Sequence, residues 1–240
     1  GRSAPIDGRT QLIAGPTGTR KRDAGNTHCY TQWAVNGTTA RTFVLLDING
    51  TVLRIRTFDE AGNLLDEAAL DRACPFVLDG ELDPGAVQVA ARGGGQTLWA
   101  AQSNQYLYVA TQDAGEGRDA FLFLASASDA LTNAAPWGKA GTAPAYDAFL
   151  ADENDNNYSH GFAEDGLPAD VTMIRTATPW CNGAVLEGVI DLNAYYNGNV
   201  PDSVGLAAVL YANGEAGALV AAAQCPAGNG DGNLDPGELF

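Results

Sequence analysis

The stretch Arg41-Thr42-Phe43-Val44-Leu45-Leu46-Asp47-Ile48-Asn49-Gly50-Thr51-Val52-Leu53-Arg54-Ile55-Arg56-Thr57-Phe58 decides the fold class. Asn49-Gly50 separates its two runs, and both residues tolerate the positive φ that a tight hairpin turn demands. In the second run Leu53, Ile55 and Thr57 share one face while Arg54 and Arg56 take the other, the two-residue period of a half-buried strand. The same turn signal recurs at Asn36-Gly37, Asn182-Gly183, Asn197-Gly198 and Asn213-Gly214. Residues 30–35 read as a preceding strand joined through Asn36-Gly37. Residues 66–73 read as one short helix, ended by Cys74-Pro75.

C-terminal to the hairpin, short apolar runs follow one another at 76–78, 86–91, 97–101, 106–111 and 120–125, then at 173–177, 185–192, 204–211 and 218–223. Short strands at such intervals are the pattern of a sandwich or barrel. Residues 126–170 read as a long polar connection, and a loop of that length is usually functional or interfacial. The expected fold is all-β, a jelly-roll or immunoglobulin-like β-sandwich preceded by a small β-hairpin unit. Residues 1–75 form a basic arm and the hairpin, 76–226 the main sandwich, and 227–240 a calcium-type loop.

The 240 residues carry 13 basic and 29 acidic groups, a formal net charge of −16. An unaided nucleic-acid binder is excluded on that ground, because neutralising phosphates takes a basic surface. No window approaches the roughly 20 apolar residues of a membrane span. The charge is unevenly spread: residues 1–56 hold eight basic and three acidic groups, net +5, against −21 for the remainder. A basic segment beside an acidic body is expected to dock on it, within one molecule or on a neighbour. Gln11, Leu12, Ile13 and Ala14 are the candidate assembly strand, suited to adding to a free sheet edge of the next copy. The chain opens with Gly1-Arg2 and without a leader-type stretch, so any leader is expected to have been removed.

Cys29, Cys74, Cys181 and Cys225 include no CxxC pair and are accompanied by two histidines, which argues against zinc. Of three pairings, Cys29–Cys74 with Cys181–Cys225 closes two loops of similar length and is favoured. Disulfides, low lysine and calcium-type loops together place the protein outside the cytoplasm, extracellular or at a cell surface.

The run Asn229-Gly230-Asp231-Gly232-Asn233-Leu234-Asp235-Pro236-Gly237-Glu238 follows the EF-hand register. Asn229, Asp231, Asp235 and Glu238 fall at positions 3, 5, 9 and 12, Gly232 at the sharp turn, and Asn233 at the carbonyl-donating position 7. A hard cation needs such oxygens converging from one tight loop, so Ca2+ is the expected cofactor. Ala227 stands at position 1 and offers no side-chain oxygen. Asp152, Asn154 and Asn156 form a second alternating oxygen cluster, with a solvated acidic loop as the plainer reading.

Motifs for nucleophilic hydrolysis, phosphate cradling and zinc proteolysis are missing, and the expectation is a non-catalytic protein. Glycoside hydrolysis needs only two acids and ranks third. Among the aromatic residues, Trp99 and Tyr108 sit inside apolar runs and read as core. Trp137 and Tyr158 lie in the polar stretch and are the candidate glycan-binding rings, since a ring covers the C–H face of a sugar.

Leu78-Asp79-Gly80-Glu81-Leu82-Asp83, Tyr106-Leu107-Tyr108-Val109-Ala110 and Val185-Leu186-Glu187-Gly188-Val189-Ile190-Asp191-Leu192 resemble motifs of the DOMON-like and family 9 carbohydrate-binding β-sandwiches. The resemblance covers about residues 76–223. It implies a secreted jelly-roll-type sandwich, often calcium-stabilised and often appended to carbohydrate-active or surface proteins. The tail loop is similar to the lone calcium loops of secreted bacterial proteins. The charge split and the missing catalytic motifs make a non-catalytic, calcium-stabilised structural subunit that self-assembles at a cell surface the first expectation, and the resemblance makes a carbohydrate-binding module the alternative. The partner is accordingly a second copy of the chain or a surface glycan.

Overall fold

The computed structural model describes residues 2–3, 31–33, 42–71, 73–92, 96–112, 117–126, 132–153, 158–177 and 185–240. Its strands are β1 (Arg2–Ser3), β2 (Thr31–Trp33), β3 (Thr42–Asn49), β4 (Val52–Asp59), β5 (Leu64–Asp71), β6 (Val87–Ala91), β7 (Thr97–Ser103) and β8 (Tyr106–Gln112). The remainder are β9 (Asp119–Ala125), β10 (Thr132–Ala134), β11 (Thr142–Pro144), β12 (Ala148–Asp152), β13 (Ser159–Ala163), β14 (Ile174–Ala177), β15 (Val185–Asp191) and β16 (Gly205–Tyr211). A single helical turn, α1 (Leu192–Tyr195), is capped by the Asp191 side chain, which accepts from the Ala194 N–H. The chain is all-β, as expected, and no helix among the described residues is long and apolar enough to cross a membrane.

Two antiparallel sheets make the sandwich. One has the order β14-β15-β8-β7-β6, the other β13-β12-β9-β16. Between them, alternate residues interlock: Leu98 of β7, Leu107 and Val109 of β8, Leu122 and Leu124 of β9, Leu150 of β12, Leu186 and Ile190 of β15, Leu206 and Leu210 of β16. Each such side chain contributes about 1.5–3 kcal/mol by leaving water. The close approach of the sheets requires Gly188, where a Cβ would lie 2.3 Å from Leu150 Cδ1 of the facing sheet.

The alternate residues facing outward are buried too. Phe121, Phe123, Phe149, Phe162 and Tyr211 form an aromatic layer covered by the connection through Trp137 and Tyr146 and by Leu234 of the tail. On the opposite outer face Tyr106, Tyr108, Val185 and Val189 are covered by Phe76, Leu78 and Leu82. Burial on both faces explains why β8, β9 and β16 read as near-continuous apolar runs rather than alternating ones.

The hairpin forms a third sheet, β3-β4-β5. Ile55 and Thr57 are its buried residues, on the face expected for them. Asn49 pairs with Val52, so Gly50-Thr51 occupy the turn, one residue later than the Asn49-Gly50 reading, with Gly50 at φ +60°. The expected helix at 66–73 is corrected: this segment is β5, paired along β4. Eight residues make a marginal helix in water. Asp59 meanwhile builds the competing turn by accepting the N–H groups of Ala61 and Asn63 at 2.9 and 2.8 Å. Arg54 then pairs with Glu67 of β5 at 3.1 Å and with Asp170 at 3.0 Å, fixing the hairpin sheet to the sandwich.

Other expectations shift. Within the supposed polar connection 126–170, β12 and β13 are structural strands, and Phe149 and Phe162 are among the core residues. Residues 76–78 cover a sheet without joining its ladder, and 218–223 give one bridge, Tyr211 to Leu219, and a 3-10 turn at Ala221–Ala223. Cys74 and Cys225 are free thiols, so the favoured pairings are absent at both described cysteines, and Cys29 and Cys181 lie outside the described residues. The physical reason at Cys225 is that it is fully buried in the layer between the sheets, where it packs as a small apolar group. The candidate assembly strand at 11–14 also lies outside the described residues.

Candidate functional site

β13 is an edge strand, and its even-numbered side chains continue the line set by Tyr158 just before it. Tyr158, His160 and Phe162 therefore share one face. Tyr158 and His160 pack against Phe162 at tilted angles, with ring centroids 6.1 and 5.5 Å from it. Trp137 closes over the same ring edge-on at 5.4 Å and stands 6.2 Å from Tyr158 at an interplanar angle of 36°. The two aromatic residues expected to bind glycan, 21 positions apart in sequence, are thus neighbours. Tyr158 is 44% exposed, while Trp137 is half-buried and packs against Phe121 and Phe162.

Trp137 is held in place at a cost. Its φ of +56° lies in the left-handed region, worth roughly 1–3 kcal/mol of strain for a non-glycine residue. Lys139, two residues on, offsets it. The Lys139 ammonium is buried and donates to the Asp119 carboxylate, to Ala212 O at 3.0 Å and to Gly214 O at 2.7 Å. Three donors meet three acceptors, which is the full capacity of a charged lysine. The turn carrying Trp137 is anchored to β9 and to the loop after β16.

Beside the aromatic pair opens a cleft of about 1380 Å³ between β5 and the β13–β14 edge. Tyr158, Ser159 and His160 form one wall and Asp66, Glu67 and Asp71 the other, with Asp170 and Arg175 among the remaining lining residues. Burial holds the His160 imidazole below its ordinary pKa, against the pull of the Gly161 carbonyl and of Asp66 and Glu67. Burial works to raise Asp170, but hydrogen bonds from Thr172 and the Arg54 guanidinium hold it below the usual carboxylate range. The cleft thus mixes carboxylates, a neutral imidazole and an arginine beside flat aromatic surface. Carboxylates accept from hydroxyls strongly, so the arrangement suits a polyhydroxylated ligand.

The expected metal residues of the tail hydrogen-bond with one another and with the sandwich. Asn229 Nδ2 sits 2.9 Å from Asp235 Oδ2 and 3.4 Å from Asp231 Oδ2. Glu238 accepts from the Asn229 and Asp235 N–H groups at 2.6 and 3.0 Å and from Gln224 Nε2 at 2.6 Å. Asn233 offers its side-chain oxygen to the Thr142 N–H at 3.0 Å, and Leu234 plugs the aromatic layer. Among the described residues no three acidic, histidine or cysteine groups converge as metal ligands. The tail loop is closed by its own N–H donors. Of the second cluster, Asp152 ends β12 and is buried, while Asn154 and Asn156 lie outside the described residues.

Sequence reasoning missed Glu187 and Lys139. Glu187 is fully buried in β15, accepting from the Gly80 N–H at 2.6 Å and the Tyr108 hydroxyl at 2.8 Å, while Tyr108 accepts from the Asp83 N–H at 3.1 Å. A carboxylate inside the otherwise apolar run at 185–190 was the available signal. For Lys139 the signal was rarity, since Lys21 is the chain's other lysine. No family model matches the chain, and no curated protein matches its sequence.

Proposed function

We propose that the protein is a non-catalytic, extracellular β-sandwich that binds a neutral glycan on the Trp137–Tyr158 surface and along the adjoining cleft. The observation that carries this reading is the 6.2 Å juxtaposition of Trp137 with Tyr158, an exposed ring that itself lines a cleft together with Asp66, Glu67 and His160. Flat apolar faces beside hydrogen-bonding carboxylates match the alternating C–H and O–H surfaces of a sugar. A net charge of −16 disfavours anionic glycans, which leaves neutral ones. The three segments that resemble DOMON-like and family 9 carbohydrate-binding domains support the same reading. They meet in one cluster, Gly80 and Asp83 from the first, Tyr108 from the second and Glu187 from the third.

Calcium is part of the proposal at the tail only. Asp231 and Asp235 both face the Asn229 amide, and a calcium ion taking the place of that Nδ2 group would meet two carboxylates once Asn229 turns its oxygen inward. The glycan reading does not depend on it.

Isothermal titration against a panel of neutral polysaccharides tests the reading. At least one should bind, and Tyr158→Ala should weaken it about tenfold or more, the loss of one exposed stacking ring. Absence of binding across the panel overturns the proposal, and release of reducing sugars would make the protein a hydrolase instead.

A further inference from the structure

Arg175 of β14 lines the cleft, and its guanidinium is only partly used. Its Nη2 is buried and makes no hydrogen bond. Asp71 of β5 is its charged neighbour. Burial works to raise the Asp71 carboxyl, but hydrogen bonds from Thr51, Ala73 and Tyr106 and the nearby Arg175 guanidinium hold it below its ordinary range. The Asp71 oxygens accept from the Tyr106 hydroxyl at 2.7 Å and the Ala73 N–H at 2.9 Å, so Arg175 stands near the carboxylate without being hydrogen-bonded to it. Arg54, by contrast, is paired with both Glu67 and Asp170. A guanidinium presents its N–H donors in a rigid fork, and leaving a buried one without an acceptor is costly. Its retention in the wall of a cleft points to an acceptor that the ligand carries.

We infer that the glycan bound in the cleft is built of acetamido sugars, which Arg175 selects by donating to the acetamido carbonyl. The inference rests on the glycan reading above and narrows its ligand to one class. The rest of the lining chooses this acceptor. Asp66, Glu67, Asp71 and Asp170 line the same cleft, so a carboxylate or sulfate on the ligand would meet like charges, and the acceptor has to be neutral. A hydroxyl is neutral but brings no apolar surface, whereas Ile55, Phe76, Leu78 and Val171 also form part of the lining. An acetamido group meets both demands on one planar unit. Its carbonyl accepts from the guanidinium, its methyl group covers apolar wall, and its N–H donates to the carboxylates. The exposed Tyr158 ring, in the same lining, is left for the face of the pyranose.

Isothermal titration of the full chain with two pentasaccharides of the same β-1,4-linked backbone tests the inference. Cellopentaose carries a hydroxyl at C2 and chitopentaose an acetamido group. Chitopentaose should bind at least about tenfold more tightly, since the plain sugar leaves the Arg175 donor unpaired. Arg175→Met should remove most of that preference while leaving the affinity for cellopentaose within about twofold of the parent's. Arg175→Lys, which keeps a cation beside Asp71 and hence the fold but lacks the planar fork, should reduce the preference at least about threefold. The deacetylated, cationic pentasaccharide should bind no better than cellopentaose at about 0.5 M salt, where attraction to the acidic chain is screened. Equal affinity of the parent for cellopentaose and chitopentaose overturns the inference and leaves the glycan reading standing. So does a preference that both variants preserve, or tight binding of the cationic sugar at high salt. Failure to bind any neutral glycan overturns the reading itself, and the inference with it.

Discussion

Tyr108 donates its hydroxyl to Glu187 Oε2 across neighbouring strands at 2.8 Å, inside a cluster where the carboxylate has no solvent exposure. Burial pushes Glu187 up to about 8, against the Gly80 N–H and the Tyr108 hydroxyl, which favour the ionised form; Asp79 adds to the rise. The folded group therefore holds its proton more tightly than the unfolded one, whose ordinary value is 4.5. Its contribution to stability is greatest below pH 4.5 and is lost as pH rises toward 8. The full span corresponds to about 3–5 kcal/mol at most. Glu187→Gln should flatten this dependence. Between about pH 5 and 8.5 the parent chain's melting temperature should fall by several degrees more than the variant's, and equal slopes would remove Glu187 as the cause.

Lys139 and Asp119 form a buried pair, so removing one partner leaves the other uncompensated. Lys139→Met should cost about 3–5 kcal/mol in denaturant unfolding, and adding Asp119→Leu should recover a large part. Because Lys139 anchors the turn bearing Trp137, the single variant should also weaken glycan binding at temperatures where it remains folded.

Leu234 joins the tail to the aromatic layer and is fully buried. Leu234→Ala should destabilise by about 2–5 kcal/mol through the cavity it leaves. Were the tail a loosely attached appendage, the loss would stay below about 0.5 kcal/mol.

Calcium at the tail loop would stabilise the folded chain by mass action. Millimolar calcium should raise the melting temperature relative to a chelator, and Asp231→Asn with Asp235→Asn should abolish the difference. Identical melting curves with and without calcium would reduce the loop to its hydrogen-bonded closure.

Much of the fold was legible because burial and turns leave local marks. The alternation Leu53, Ile55, Thr57 against Arg54, Arg56 named the correct buried face, and the unbroken apolar runs marked strands covered on both sides. β12 and β13 escaped because five-residue runs among Asp, Asn and Gly resemble a polar loop until Phe149 and Phe162 are stacked at 4.8 Å. β5 was misread because its alanines favour a helix locally, and only pairing with β4 reverses that preference. At the site, Trp137 and Tyr158 stood out as aromatics in a polar stretch. Asp66, Glu67 and His160 did not, since what unites them is the docking of the hairpin sheet beside β13, a contact between distant parts of the chain.

The central claim is that Trp137 and Tyr158 together form the ligand surface, and the Trp137 indole N–H reports on it directly. In a two-dimensional 15N NMR titration with a neutral oligosaccharide from a bound polysaccharide, the Trp137 indole signal, assigned through Trp137→Phe, should shift saturably. It should shift far less in Tyr158→Ala at the same sugar concentration, while the Trp99 signal stays fixed in both. A Trp137 signal that does not move at up to about 10 mM sugar, or a shift confined to Trp99, would contradict the account.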